Sequence, residues 1–134
     1  MSHTRYMQFA ENASLMSPDT KTKVGAALTH PSIGVAGEGF NREIYPGAVS
    51  DWEGKEKHPL IVHAEMSAIM DYFLNVQGIP FSGLTLYVTL SPCPECTKLI
   101  IATGLISEVV YKELHHSTNL NIFHSAGIKT TYFS

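Results

Sequence analysis

Leu84-Thr85-Leu86-Tyr87-Val88-Thr89-Leu90-Ser91-Pro92-Cys93-Pro94-Glu95-Cys96-Thr97-Lys98-Leu99-Ile100-Ile101-Ala102-Thr103-Gly104 is the stretch that decides the fold. Leu84 to Leu90 is rich in apolar and β-favouring side chains and reads as a buried strand. Ser91 and Pro92 interrupt it. Residues 94–103 then read as a helix, with Pro94 suited to the first turn and Gly104 to the C-terminal end. A strand that runs straight into a helix is the first half of a crossover unit, so the strand expected at Glu108 to Tyr111 becomes a parallel neighbour of Leu84–Leu90.

Working outward, Tyr6, Phe9, Ala10, Ala13 and Met16 recur at helical spacing before Pro18, which predicts a first helix over residues ~3–17. Val24 to Thr29 and Gly34 to Phe40 flank Pro31 and Ser32 and predict an antiparallel hairpin. Asn41 to Pro59 reads as a loop longer than ordinary connections, which points to a functional segment. Met66, Ile69, Met70 and Phe73 place a second helix from His63 to about Val76, ended by Gly78 and Pro80. Asn119 to Ala126 reads as a helix and Ile128 to Phe133 as a last strand. The order α-β-β-α-β-α-β-α-β predicts an α/β fold, a three-layer α-β-α sandwich around one five-stranded mixed sheet.

The chain has 134 residues, a length suited to one domain and one core, and neither repeats nor low-complexity tracts divide it. With 44% hydrophobic and 16% charged residues it has the balance of a folded globular protein. Nine Lys and Arg against twelve Asp and Glu give a net charge of −3, which supplies no field for a nucleic-acid polymer. No run of ~18 apolar residues predicts a membrane span, and the first residues lack a secretory pattern, so a cytoplasmic location is expected.

Only two cysteines occur, Cys93 and Cys96, too few for a disulfide framework. At i and i+3 in the first turn of a helix they point to one side, where the positive end of the helix dipole favours thiolate. Two thiolates and the imidazole of His63 suit tetrahedral zinc and leave its fourth position open for water. Residues two apart on a helix are ~200° apart around its axis, so His63 must stand at the start of the second helix for Glu65 to reach that water without binding zinc. Glu65 is then the expected proton carrier, taking a proton from water and giving it to a ring nitrogen and a departing amine. Taken singly these motifs are weak: His-Ala-Glu can be an ordinary helix start, and Cys-x-x-Cys a redox pair or half of a structural zinc site. Together, H-x-E and P-C-x-x-C are the recognised signature of zinc nucleobase deaminases.

His63-Ala64-Glu65-Met66-Ser67-Ala68-Ile69 resembles the His-Ala-Glu-x-Asn-Ala-Ile stretch of deoxycytidylate (dCMP) deaminases, within the cytidine deaminase-like superfamily, with Ser67 in place of Asn. Residues 86–101 are similar to that family's strand and zinc helix nearly position for position. Thr22-Lys23-Val24-Gly25-Ala26 and Gly39-Phe40-Asn41 resemble its first strand and its Gly-Tyr-Asn motif. The loop with Trp52 and Lys57-His58-Pro59 is similar to an insertion that binds a regulatory nucleoside triphosphate in many members, whereas Arg42-Glu43-Ile44 departs from the pattern. His115-His116 stand where relatives carry Tyr followed by His.

The resemblance implies conversion of dCMP to dUMP and ammonia, feeding dTMP synthesis, with one Zn2+ held by His63, Cys93 and Cys96. It implies substrate contacts from Asn41 to the sugar, the Ala64 amide to the base carbonyl, the Ser91-Pro92-Cys93 wall near the leaving amine, and Tyr111 and His115 beside the pocket. Lys23 is the expected phosphate donor. A homo-oligomer, commonly a hexamer, and dCTP or dTTP effectors with Mg2+ are also implied. The alternatives are a deaminase of another substrate, such as dCTP, a flavin-pathway pyrimidine or RNA adenosine, and a non-catalytic nucleotide-binding zinc module.

Overall fold

A computed structural model of the chain describes residues 3–53, 59–77 and 81–134. Its elements in chain order are α1 (His3–Ser14), β1 (Gly25–His30), β2 (Gly34–Phe40), β3 (Arg42–Glu43), β4 (Ile61–Val62), α2 (Ala64–Asn75), β5 (Leu84–Leu90), α3 (Pro94–Thr103), β6 (Ile106–Glu113), α4 (Leu120–Ser125) and β7 (Lys129–Tyr132). The main sheet has the order β2-β1-β5-β6-β7. β1 pairs antiparallel with β2 and β5, while β5–β6 and β6–β7 are parallel, so the sheet is mixed as expected.

Successive side chains of a strand face opposite ways, and here both faces are covered. Ala26, Leu28, Leu84, Leu86, Val88, Val109 and Tyr111 form one core with Ala68 and Tyr72 of α2, Ile100 of α3 and Phe123 of α4. Ala27, Tyr87 and Val110 point the other way, onto Tyr6, Met7 and Ala10 of α1. The result is the three-layer α-β-α sandwich, with, among the described residues, one helix on one face and three on the other.

β5 and α3 have the bounds that the sequence predicts, and Gly104 caps α3 at φ 68°, a left-handed conformation that a side chain disfavours. α1 ends earlier than expected. Leu15 and Met16 bond back to Asn12 and Ala13, the i→i+3 pattern that tightens a last turn. β3 lies within the loop expected over Asn41–Pro59 and β4 just after it: Arg42 pairs with Val62 and Glu43 with Ile61, a ladder too short to show periodicity. Gly78 and Pro80, expected to end α2, and Lys57 and His58 of the loop lie outside the described residues.

Candidate active site

His63 is the residue before α2, with extended backbone at φ −68° and ψ 156°, and Cys93 holds the same place before α3 at φ −71° and ψ 170°. Two helix starts therefore meet at the edge of the sheet where β5 ends. β2 lets α2 approach because Gly39 carries no side chain: a Cβ there would lie 2.3 Å from the Ala68 amide nitrogen and 2.6 Å from the Ala64 carbonyl oxygen. With His63 outside the helix, Glu65 falls in its first turn and is 4% exposed.

His63 Nδ1 lies 3.5 Å from Cys93 Sγ and 3.4 Å from Cys96 Sγ, and the three donor atoms are all within 4.8 Å of one another. Zinc at the usual ~2.3 Å from sulfur and ~2.0–2.1 Å from nitrogen, with tetrahedral angles, sets nitrogen and sulfur about 3.6 Å apart. The donors present fit that ion in chemistry and in spacing, and among the described residues no fourth side chain joins the group.

The electrostatics of the cluster follow from its close contacts and its burial. The neighbouring Cys96 thiol first, and then the contact with His63, lower Cys93 to about 3. The proximity of Cys93, and then burial, pushes the Cys96 thiol up. His63 is raised chiefly by its bond to Cys93. Burial raises Glu65 to about 7, against the opposing pull of its own backbone amide and of His63.

A cavity of about 400 Å³, in the range of small-molecule sites, is lined by Asn41, His63, Ala64, Glu65, Ser91, Cys93 and His115. The structure thus brings together most residues picked from the sequence. Three lie elsewhere. Lys23 faces a neighbouring cleft and its ammonium donates to the Ser17 carbonyl. Pro92 is fully buried rather than on the cavity wall, and Tyr111 packs in the core with its ring 5.7 Å from Tyr132.

Asn41 reaches the cavity with its amide engaged. Its Oδ1 accepts from the Val24 amide at 2.9 Å, and its Nδ2 donates to the Thr22 carbonyl at 2.8 Å, so it fastens the end of β2 to the segment before β1. That segment supplies wall residues the sequence reading missed: Asp19, Lys21 and Thr22. The Asp19 carboxylate accepts from the amides of Lys21 and Thr22, and Lys21 Nζ donates to the Glu53 carbonyl at 3.2 Å. The Asp19-Thr20-Lys21-Thr22 run, a turn signal directly before a strand, was the available clue.

A glutamate beside a His/Cys/Cys donor set at two helix starts, on a mixed sheet layered between helices, defines the class of zinc-dependent deaminases with the cytidine deaminase-like fold. The chain belongs to the cytidine and deoxycytidylate deaminase family, whose zinc-binding region matches residues 1–113. It is 32% identical over 124 residues to the human deoxycytidylate deaminase, covering 85% of this chain and 66% of that protein. It is 39% identical over 85 residues to the deoxycytidylate deaminase of phage T4, covering 61% and 40%. The chain therefore spans just under two thirds of the human protein and less of the phage one. The crystal structure of dCMP deaminase from the cyanophage S-TIM5, in complex with dCMP and dUMP, superposes with a TM-score of 0.82 at 25% identity, covering 99% of each chain.

Proposed function

We propose that this chain is one zinc-dependent deaminase domain that converts dCMP and water to dUMP and ammonia. The observation that carries this is the spacing of His63 Nδ1, Cys93 Sγ and Cys96 Sγ beside the buried carboxyl of Glu65. Deoxycytidylate deaminases among the relatives, and dCMP and dUMP in the cyanophage enzyme, support the choice of substrate over dCTP, a flavin-pathway pyrimidine or an RNA adenosine.

Zinc, when held by His63, Cys93 and Cys96, supplies a Lewis acid that makes water acidic enough to lose a proton near neutral pH. Glu65 accepts that proton and passes it to N3 of cytosine as water oxygen adds to C4; it then takes the remaining proton from the C4 hydroxyl and gives it to the amine as the C4–N bond breaks. Atoms balance: one water enters, one ammonia leaves. The Ala64 amide, near the start of α2 where few backbone donors have helical partners, is the donor for the base carbonyl. Asn41 holds the wall against which the sugar rests. Ser91 borders the leaving amine.

Homo-oligomerisation belongs to the same proposal. α2 exposes Met66, Met70, Phe73 and Leu74 along one side, an apolar stripe that a second copy would cover. Regulation by dCTP or dTTP with Mg2+ would act through the segment after Asn41, where Arg42 Nε donates to Ser67 Oγ at 3.2 Å on α2. Light scattering with and without these nucleotides tests both points. Ammonia release from dCMP, dCTP, cytidine, cytosine and tRNA tests the substrate: dCMP is expected to be the best. Its being among the poorest would overturn the assignment, and a zinc-loaded protein without turnover on any of them would favour a non-catalytic module.

A further inference from the structure

Cys93, one of the three proposed zinc donors, stands in a segment short of backbone hydrogen-bond donors. It lies between Pro92 and Pro94, and a proline has no N–H, so neither neighbour can donate to fix its place. What the segment offers instead is carbonyl oxygens. The Cys93 carbonyl accepts from the amide and from the hydroxyl of Thr97, both at 2.9 Å, one turn into α3. Pro92 is fully buried, and a buried acceptor left without a donor is costly. The donor to the Pro92 carbonyl comes from the turn after β6, the neighbouring strand: it is Thr118 Oγ1, at 2.7 Å.

The turn that carries Thr118 is closed on itself. The Thr118 amide donates to the His115 carbonyl at 3.1 Å, the bond of a β-turn over residues 115–118. The directions of the hydroxyl groups follow from their proton count. Thr118 has one hydroxyl proton and gives it to the Pro92 carbonyl, so in its 2.7 Å contact with Ser91 Oγ it accepts and Ser91 donates. Ser91 Oγ in turn accepts from the His115 amide at 2.6 Å, while the Ser91 amide donates to the Glu113 carbonyl of β6 at 2.8 Å. One directed chain thus runs from the His115 N–H through Ser91 and Thr118 to the carbonyl before Cys93. Successive bonds of one polarity strengthen each other.

We propose that Thr118 is a positioning residue for the metal centre: by holding the Pro92 carbonyl it sets the direction in which Cys93 presents its sulfur toward His63 and Cys96. Thr118 belongs neither to the donor group nor to the residues lining the cavity, so its effect on the metal passes through the peptide before Cys93. Groups that orient a ligand from behind govern metal affinity by about 10–100-fold. A methyl group in place of the hydroxyl leaves the Pro92 carbonyl without this donor and the Ser91 hydroxyl without this acceptor. The proposal rests on the zinc centre of the reading above and not on the choice of substrate.

Zinc titration of the full chain against a chromophoric chelator, with cobalt(II) in place of zinc for spectroscopy, tests this apart from turnover. Thr118→Val, nearly the same shape, is expected to weaken zinc binding by about 10–100-fold and to shift the thiolate-to-cobalt charge-transfer band, and Thr118→Ser to restore both. A hydroxyl that merely supports the fold would lower the urea midpoints of the stripped and the zinc-loaded proteins alike; here the rise in midpoint on adding zinc is expected to shrink. Equal lowering of the two, with the band unmoved, overturns the proposal. Ser91→Ala breaks the chain upstream and leaves the Thr118–Pro92 bond, so it should weaken zinc in the same direction and by less. Wild-type affinity in that variant, like wild-type affinity in Thr118→Val, also overturns it. A wild-type chain that takes up no zinc would remove the deaminase reading and this proposal together, whereas a zinc-loaded wild type that turns over dCMP beside an unaffected Thr118→Val would remove this proposal alone.

Discussion

Gly39 of β2 faces Ala68 of α2 so closely that a Cβ would stand 2.3 Å from the Ala68 amide nitrogen, well inside van der Waals contact. The obstacle is helix backbone, which cannot swing aside as a side chain can. Gly39→Ala is therefore expected to destabilise the fold by about 2–3 kcal/mol or more and to displace the start of α2, where His63 and Glu65 stand. Urea denaturation and zinc content of the purified variant check this. A variant with wild-type midpoint and full zinc would show that α2 is free to move outward.

Glu65→Gln keeps size and removes the proton-accepting carboxylate. Turnover of dCMP should fall by ~10²–10⁴-fold with zinc retained, because the carboxyl is no donor in the His/Cys/Cys group. Activity near the original rate would remove Glu65 as the proton carrier.

Metal removal should destabilise the protein and couple to protons. Zinc takes cysteine as thiolate and histidine as neutral imidazole, and with Cys96 and His63 both shifted upward by Cys93 and its surroundings, zinc competes with protons at these ligands. Zinc affinity is expected to rise with pH, and zinc addition to the stripped protein to release protons measurable in weakly buffered solution. At free zinc a thousandfold above Kd, stabilisation should be about 4 kcal/mol, read as a shift in the urea midpoint. Cys96→Ser should lose most of that shift.

Tyr87 supplies a pH dependence away from the site. Burial first, then the charge of Glu108, raises its hydroxyl from the usual 10 to about 12, and the hydroxyl lies 2.6 Å from His3 Nδ1. A group whose pKa is raised on folding contributes stability below its unfolded value, and that contribution is lost as pH climbs through the folded value. The protein should therefore weaken between pH 10 and 12, and Tyr87→Phe should weaken less across that window. Parallel denaturation curves for the two proteins would contradict this.

Much of this was legible in the sequence where a physical signal was local. Pro94 at the first turn and Gly104 past the last bounded α3, and Cys93 and Cys96 needed only helical spacing to share a side. His63 could be placed outside α2 because it and Glu65 could not otherwise serve one centre. What depended on distant partners was hidden. Lys23 was the expected phosphate donor because it precedes a strand that resembles the family's pocket wall, but Asn41 fastens that segment so that Lys21 and Thr22 line the cavity while Lys23 faces the neighbouring cleft. Tyr111 was placed beside the pocket by the resemblance alone, yet β6 is buried on both faces and the ring lies in the core. β3 and β4 were invisible because two residues carry no period.

The most direct test is X-ray absorption at the zinc edge of the purified protein. One zinc per chain with two sulfur atoms at about 2.3 Å and the remaining shell made of nitrogen and oxygen at about 2.0–2.1 Å is expected, and the two sulfurs should drop to one in Cys96→Ser. A shell without sulfur, or two sulfurs that persist in that variant, would contradict the centre built from His63, Cys93 and Cys96.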